Sequence, residues 1–334
     1  MNNQNGITVE NLKVHFPSRS GLMGKINSWT KAVDGVSFTV KKGEVFALVG
    51  ESGCGKTTTA QAIMGLTPIT EGTIKLHLGN FKDQGISWDD LGGTERKNLR
   101  RQIQIVFQDP YSSLNPRMTV RSILEEPLVI HGTTSQKERT ARIKELLDQV
   151  GLSESYLDRY PHEFSGGQRQ RIGIARALAT SPELIVADEP VSALDVSIQA
   201  QIINLLQDLQ SIYKQTLLFI SHDLAVVRHL ANRVAVMYLG KIVEMGSEAQ
   251  IFSSPLHPYT SLLLNSVPGI DKKVNKAVST PAEDQEVSAH NLNGCSFYPR
   301  CPRRTEKCRE NSPQLVDFGS EHLASCFNPN QNKD

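Results

Sequence analysis

From residue 50 the chain reads Gly50-Glu51-Ser52-Gly53-Cys54-Gly55-Lys56-Thr57, with Thr58 next. This is G-x-x-x-x-G-K-[ST], the spacing of a loop that cradles phosphate. Its glycines let backbone wrap closely around an anion. Lys56 would reach β- and γ-phosphates, and the Thr57 hydroxyl would take a place on magnesium. The context fits. Glu44 to Val49 is an apolar run suited to a buried strand, and Thr57 to Met64 continues as a helix that stops at Gly65. Such a strand, loop and helix start aim several N–H groups and the positive end of a helix at one point. A chance glycine turn before a helix is the bland alternative, and it does not account for the full match.

Two carboxylates follow an apolar strand in Leu184-Ile185-Val186-Ala187-Asp188-Glu189. Asp188, at the strand end, suits magnesium held through its water shell. Glu189, one residue further, can accept a proton from water attacking a γ-phosphate. A single acid here would pass as a helix cap; two in succession are harder to dismiss. Ser165-Gly166-Gly167-Gln168 reads as another helix N-terminus, with Ser165 as cap and glycines that permit close approach. A second anion site on the same chain suggests two chains face to face, each covering the other's nucleotide.

The elements that must position these groups alternate between strand and helix. Ile7 to Phe16 and Val36 to Val40 read as strands, with Pro17 to Lys31 a loop carrying Trp29 between them. Glu71 to Leu78 is a further strand, and Ile103 to Phe107 delivers Gln108-Asp109-Pro110 to a loop. Met118 to Glu163 is mostly helical. Within it Ser135 and Glu138 form a capping box, and Ile143, Leu146, Leu147 and Val150 share one face before Gly151 ends the helix. A long amphipathic helix follows Glu189, with Ile198, Ile202, Leu205, Leu206, Leu209 and Ile212 as its inner stripe. Leu217 to Ile220 and Arg233 to Tyr238 are the last strands. The alternation predicts an α/β fold with a mostly parallel sheet covered on both faces.

Over 334 residues, 36 Lys+Arg balance 35 Asp+Glu, so no global field draws nucleic acid or an anionic membrane. No apolar run approaches the ~18 residues of a membrane span, and no signal segment opens the chain. The expectation is a cytosolic chain that meets a membrane only through partners. Five cysteines in such a chain argue against a disulfide scaffold.

Gly50–Thr57, the Gln108 loop, Ser165–Gln168, Leu184–Glu189, Ser192-Ala193-Leu194-Asp195 and Ser221-His222-Asp223 occur in the order found in ATP-binding cassette (ABC) ATPases. The resemblance spans roughly residues 7 to 260. It implies a P-loop nucleotide-binding domain over 1–265, with a core sheet and a helical subdomain at about 109–165. A linker at 266–293 and a cysteine-rich extension at 294–334 would follow. Gln108 looks like the Q-loop glutamine that senses magnesium and attacking water. Asp195 looks like the D-loop aspartate, and His222 like the switch histidine on the γ-phosphate. Phe16 stands where the family stacks adenine, with Trp29 as its rival. The cofactors implied are ATP and magnesium.

Gln108 to Arg117 (QDPYSSLNPR) and Ser254 to Thr260 (SPLHPYT) resemble the peptide/nickel importer subfamily. Lys31 to Gly35 (KAVDG) is similar to its F-type subunit. The partners implied are a homologous ATPase in a heterodimer, two multi-span permease subunits and, indirectly, an extracytoplasmic solute-binding protein. The place implied is the cytoplasmic face of the cell membrane. Nickel chelates or oligosaccharides are alternative cargoes, and a soluble non-transport ABC ATPase is the alternative class.

Cys295, Cys301, Cys308 and Cys326 read as C-x5-C-x6-C-x17-C, and four thiols in a short, weakly apolar tail suit a metal staple. Sulfur ligation permits zinc or iron–sulfur, and spacing does not choose between them. The subfamily resemblance implies a 4Fe-4S cluster. Cys54 stays apart as a packed P-loop side chain, and Arg300, Arg303 and Arg304 read as a solvated basic face.

Overall fold

Of the stretch expected to loop, Pro17 to Lys31, residues 17–20 and 25–31 instead belong to two long strands, β1 (Asn5–Ser20) and β2 (Lys25–Lys41), and residues 21–24 lie outside the described residues. Along β1, alternation buries Ile7 and Val9, then shifts by one to bury Leu12 and Val14. The shift falls at Asn11, whose φ is 48°. Along β2 the shift recurs around Gly35, with Val33 buried before it and Val36, Phe38 and Val40 after it. An extra residue in a strand displaces the inward face in this way. Neither segment therefore shows clean alternation in sequence. β1 lies between β2 and β4 (Glu71–Leu76) in a three-stranded sheet.

The computed structural model describes residues 4–20, 25–132, 135–267 and 294–330. The linker expected at 266–293 lies almost wholly outside the described residues. Contacts divide the chain into two units, one of residues 1–8, 39–45 and 74–221, the other of 9–38, 46–73 and 222–334.

In the first unit β5 (Ile103–Val106), β6 (Leu184–Asp188) and β7 (Thr216–Ser221) pair in parallel in that order. Every residue of β6 and β7 is buried, as a strand covered on both faces requires. The helices are α2 (Gly93–Gln102), α3 (Val120–Ile130), α4 (Gln136–Gln149), α5 (Gly166–Leu178) and α6 (Val196–Tyr213). Ser135 caps α4 by accepting from the Glu138 N–H. Ile143, Leu146, Leu147 and Val150 are buried together behind it. On α6 the inner stripe includes Ile203, while Ile212 is 68% exposed near the helix end. That residue is a correction to the expected stripe: it lies in the last turn, before the left-handed cap at Lys214, and stays exposed.

In the second unit β3 (Val45–Val49) pairs in parallel with β8 (Arg233–Tyr238), which pairs antiparallel with β9 (Lys241–Ser247). The cysteine tail adds β10 (Val316–Asp317) and β11 (Leu323–Ala324), and β11 pairs with β9. The helices here are α1 (Lys56–Ile63), α7 (Leu224–Leu230), α8 (Glu248–Ser253), α9 (Pro258–Asn265) and α10 (Glu306–Glu310). No helix among the described residues is long and apolar enough to cross a membrane.

Candidate nucleotide site

The P-loop leaves β3 at Gly50 and enters α1 at Lys56. Gly50 has φ 151°, and a Cβ there would sit 2.3 Å from the Met237 carbonyl. Gly55 has φ 108°, and its Cβ would meet the Ala32 carbonyl at 2.3 Å. Both glycines are therefore dictated by backbone, and the cradle fits a polyphosphate chain. Lys56 is buried and donates to the carbonyls of Gly50 and Glu51 at 2.8 and 3.0 Å. Thr57 is exposed at the helix start, and Cys54 is buried beneath the loop, where burial pushes its thiol up.

The loop has support that sequence reasoning missed. The Glu51 N–H donates to the Tyr259 hydroxyl at 3.1 Å, and Tyr259 is fully buried on α9. The Glu51 carboxylate receives both terminal nitrogens of Arg300 at 2.9 Å each. Arg300, though exposed, is thus engaged in an ion pair that the expectation of a solvated basic face did not include. Arg303 donates to Asn328 at 3.1 Å, and Arg304 donates to the Pro299 carbonyl at 3.2 Å. The forewarning in the sequence was SPLHPYT, whose Tyr259 is a large side chain in a proline-containing turn.

In the first unit Asp188 ends β6 buried, and Glu189 follows half-buried with φ 47°. A bulky residue in the left-handed region costs energy that the surroundings must supply, a common mark of a functional position. The surroundings are visible. The Glu189 N–H donates to the Ile220 carbonyl at 2.9 Å, and the Ser192 hydroxyl donates to the Glu189 carbonyl at 3.1 Å. Gln108 donates its amide to Glu189 Oε2 at 3.0 Å, so the Gln108 loop and the strand-end acid meet. Asp188 offers the hard oxygen donor that magnesium prefers.

Ser165 caps α5 by accepting from the Gln168 N–H, while Gln168 Oε1 accepts from the Ser165 N–H at 3.0 Å. Gly167 is required by packing: a Cβ there would lie 2.5 Å from Ile198 Cγ2. The same helix holds the Gln108 loop. Gln170 donates to the Phe107 carbonyl at 3.4 Å, Arg176 donates to the Ser113 carbonyl at 2.7 Å, and Arg169 lies over the Tyr111 ring. Asp195 stands at the N-cap of α6 without a capping bond, its side chain exposed. His222 is exposed beside Asp223, which caps α7. Phe16 and Trp29 are both exposed, at 43% and 52%, so exposure favours neither.

In the tail, Cys295, Cys301 and Cys326 are half-buried and Cys308 is buried. Burial pushes the Cys295 and Cys301 thiols up and takes Cys326 to about 11, and neighbouring thiols add to each shift. Among the described residues, no group of three or more His, Cys, Asp or Glu is placed to hold a metal ion. The expected cluster therefore finds no support in the arrangement of ligands.

Comparison with known proteins decides the family. Residues 33–192 match the ABC transporter model. The oligopeptide transport ATP-binding protein AppF of Bacillus subtilis is 49% identical over 97% of this chain and 98% of its own. The chain belongs to the ABC transporter family. It is one of that family's ATPase subunits. Residues 243–308 of this ATPase also match the oligopeptide/dipeptide transporter C-terminal region. The dipeptide transport ATP-binding protein DppF of Haemophilus influenzae is 46% identical over 95% of this chain and 94% of its own. Among solved structures, the ATP-binding cassette MJ0796, a dimer in a post-hydrolysis state with ADP and Pi, superposes with a TM-score of 0.62. It is 31% identical, over 72% of this chain and 98% of that one.

Proposed function

We propose that this ATPase powers a membrane importer of di- and oligopeptides, as the F-type subunit beside a homologous ATPase. The observation that carries the reading is the match at 243–308, joined to peptide-transport relatives that align over nearly the whole chain. Gly50 to Thr58 hold the phosphates of ATP, with Phe16 against adenine. Thr57, Gln108 and Asp188 would hold magnesium, which supplies charge neutralisation on the phosphates when bound. Glu189 takes a proton from the attacking water, and Gln108 fixes the Glu189 carboxylate. The left-handed backbone at Glu189 and its bond from Gln108 support that pairing. His222 touches the γ-phosphate, Ser165 to Gln168 cover the partner's ATP, and Asp195 communicates across the dimer. The uncapped exposed carboxylate of Asp195 supports the last role.

The nucleotide domain is proposed over 1–265, with the helical subdomain at about 109–165 and the extension at 294–334. Two permease subunits and a solute-binding protein complete the machine, and the ATPase sits peripherally on the cytoplasmic face. Uptake of labelled peptides by a deletion strain tests this reading. The natural chain is expected to restore di- and oligopeptide uptake and Lys56→Ala is not. Loss of nickel or oligosaccharide uptake alone would overturn it.

For the tail, the proposal is a 4Fe-4S cluster on Cys295, Cys301, Cys308 and Cys326. What speaks for it is the sequence alone, four cysteines spaced C-x5-C-x6-C-x17-C in a short, weakly apolar tail. Anaerobic purification with iron, sulfide and zinc assays tests it. About four irons and four sulfides per chain are expected; stoichiometric zinc or no metal overturns the cluster.

A further inference from the structure

Glu51 presents a chemical problem. It places a carboxylate within a loop built to bind the most highly charged part of a nucleotide. The structure holds the answer 249 residues further along the chain, where Arg300 meets both carboxylate oxygens at 2.9 Å. The guanidinium has a prepared seat. Its carbon lies 5.8 Å from the centres of the Tyr238 and Phe297 rings, within range for attraction to an aromatic face. Phe297 packs edge-on against Tyr238 and at a tilt against Tyr259, the residue whose hydroxyl accepts the Glu51 N–H. Backbone and side chain of Glu51 are thus both gripped from the C-terminal region. The turn that carries Arg300, Tyr298–Arg300, stands between Cys295 and Cys301 and is closed by the Cys301 N–H on the Tyr298 carbonyl.

We propose that Arg300 is a positioning residue of the nucleotide site: it cancels the Glu51 charge, holds the P-loop open to polyphosphate, and makes ATP binding depend on the fold of the cysteine tail. The pair is 43% and 41% exposed, so its worth to folding is small. Its effect falls on the ligand instead. Without Arg300, a bare carboxylate faces a nucleotide of several negative charges. A fork-to-fork pair is also the geometry that arginine makes and lysine does not.

The inference rests on the ATP-binding reading, and the test separates the two. ATP binding to the purified full-length chain is measured by calorimetry for the natural protein, Arg300→Ala, Glu51→Gln and the double variant, with thermal unfolding as a check on folding. Arg300→Ala is expected to weaken binding roughly tenfold, less as salt rises, as for one uncompensated charge near a screened polyanion. Adding Glu51→Gln to it is expected to recover binding relative to Arg300→Ala, because the uncompensated carboxylate is then gone. Unchanged affinity in Arg300→Ala overturns the proposal, as does a double variant no tighter than Arg300→Ala. Should Arg300→Ala not fold, Arg300→Gln replaces it, because the guanidinium is likewise gone, and unchanged affinity there overturns the proposal. A natural chain that binds no ATP would instead sink the ATP-binding reading itself.

Discussion

His257 links acid stability to the nucleotide site. It is 2% exposed at the N-cap of α9, where Nδ1 accepts the Tyr259 N–H at 3.1 Å. An imidazole used as an acceptor must stay neutral, and burial lowers its pKa from the usual 6.5 to about 3. The neighbouring charge is Glu244, which accepts from the His257 and Leu256 N–H groups and bonds to His322. The unfolded chain takes up a proton near 6.5 and the folded chain does so only near 3, so stability falls as pH drops through that window. Above about pH 7 the group contributes no slope. Linkage gives a loss of about 2 kcal/mol at pH 5 relative to pH 8 from this residue alone. Urea unfolding at both pH values, for the natural chain and for His257→Asn, isolates the term. Asparagine keeps a side-chain acceptor at the cap but does not titrate. Between pH 8 and 5 the natural chain should lose about 2 kcal/mol more than the variant. Equal losses would refute the reasoning.

Two further substitutions probe packing. Gly167→Ala drives a methyl toward Ile198 Cγ2 and should cost about 1–3 kcal/mol in urea unfolding, along with slower ATP turnover. An unshifted midpoint would show that Ile198 simply moves aside. Leu146→Ala, fully buried on α4, should lose about 2–5 kcal/mol through the cavity it leaves. A loss under ~1 kcal/mol would mean that the site collapses freely.

What sequence alone conveyed was local. The P-loop glycines, Ser165 with Gln168, and Asp188-Glu189 are close in the chain, and each spacing encodes one loop or helix start. The helical face at Ile143 to Val150 was legible for the same reason, because 3.6-residue periodicity needs no distant partner. The strand residues at 17–20 and 25–31 were hidden because Pro17 and the glycines and serines beyond it read as a loop. Ile212 was misplaced because periodicity continues past the point where packing stops. Least legible was the grip on Glu51. Tyr259 and Arg300 lie 208 and 249 residues away, and a basic run next to cysteines reads as surface until its partner is seen. The hold of Gln170 and Arg176 on the Gln108 loop was missed likewise.

The central claim is that Glu189 drives ATP hydrolysis in this chain. Single-turnover hydrolysis by Glu189→Gln, assembled with its partner ATPase and permease, tests it most directly. The expected result is retained ATP binding with turnover lowered by about 10²–10⁴, the range for loss of a general base. Near-normal turnover with ATP bound would contradict the account.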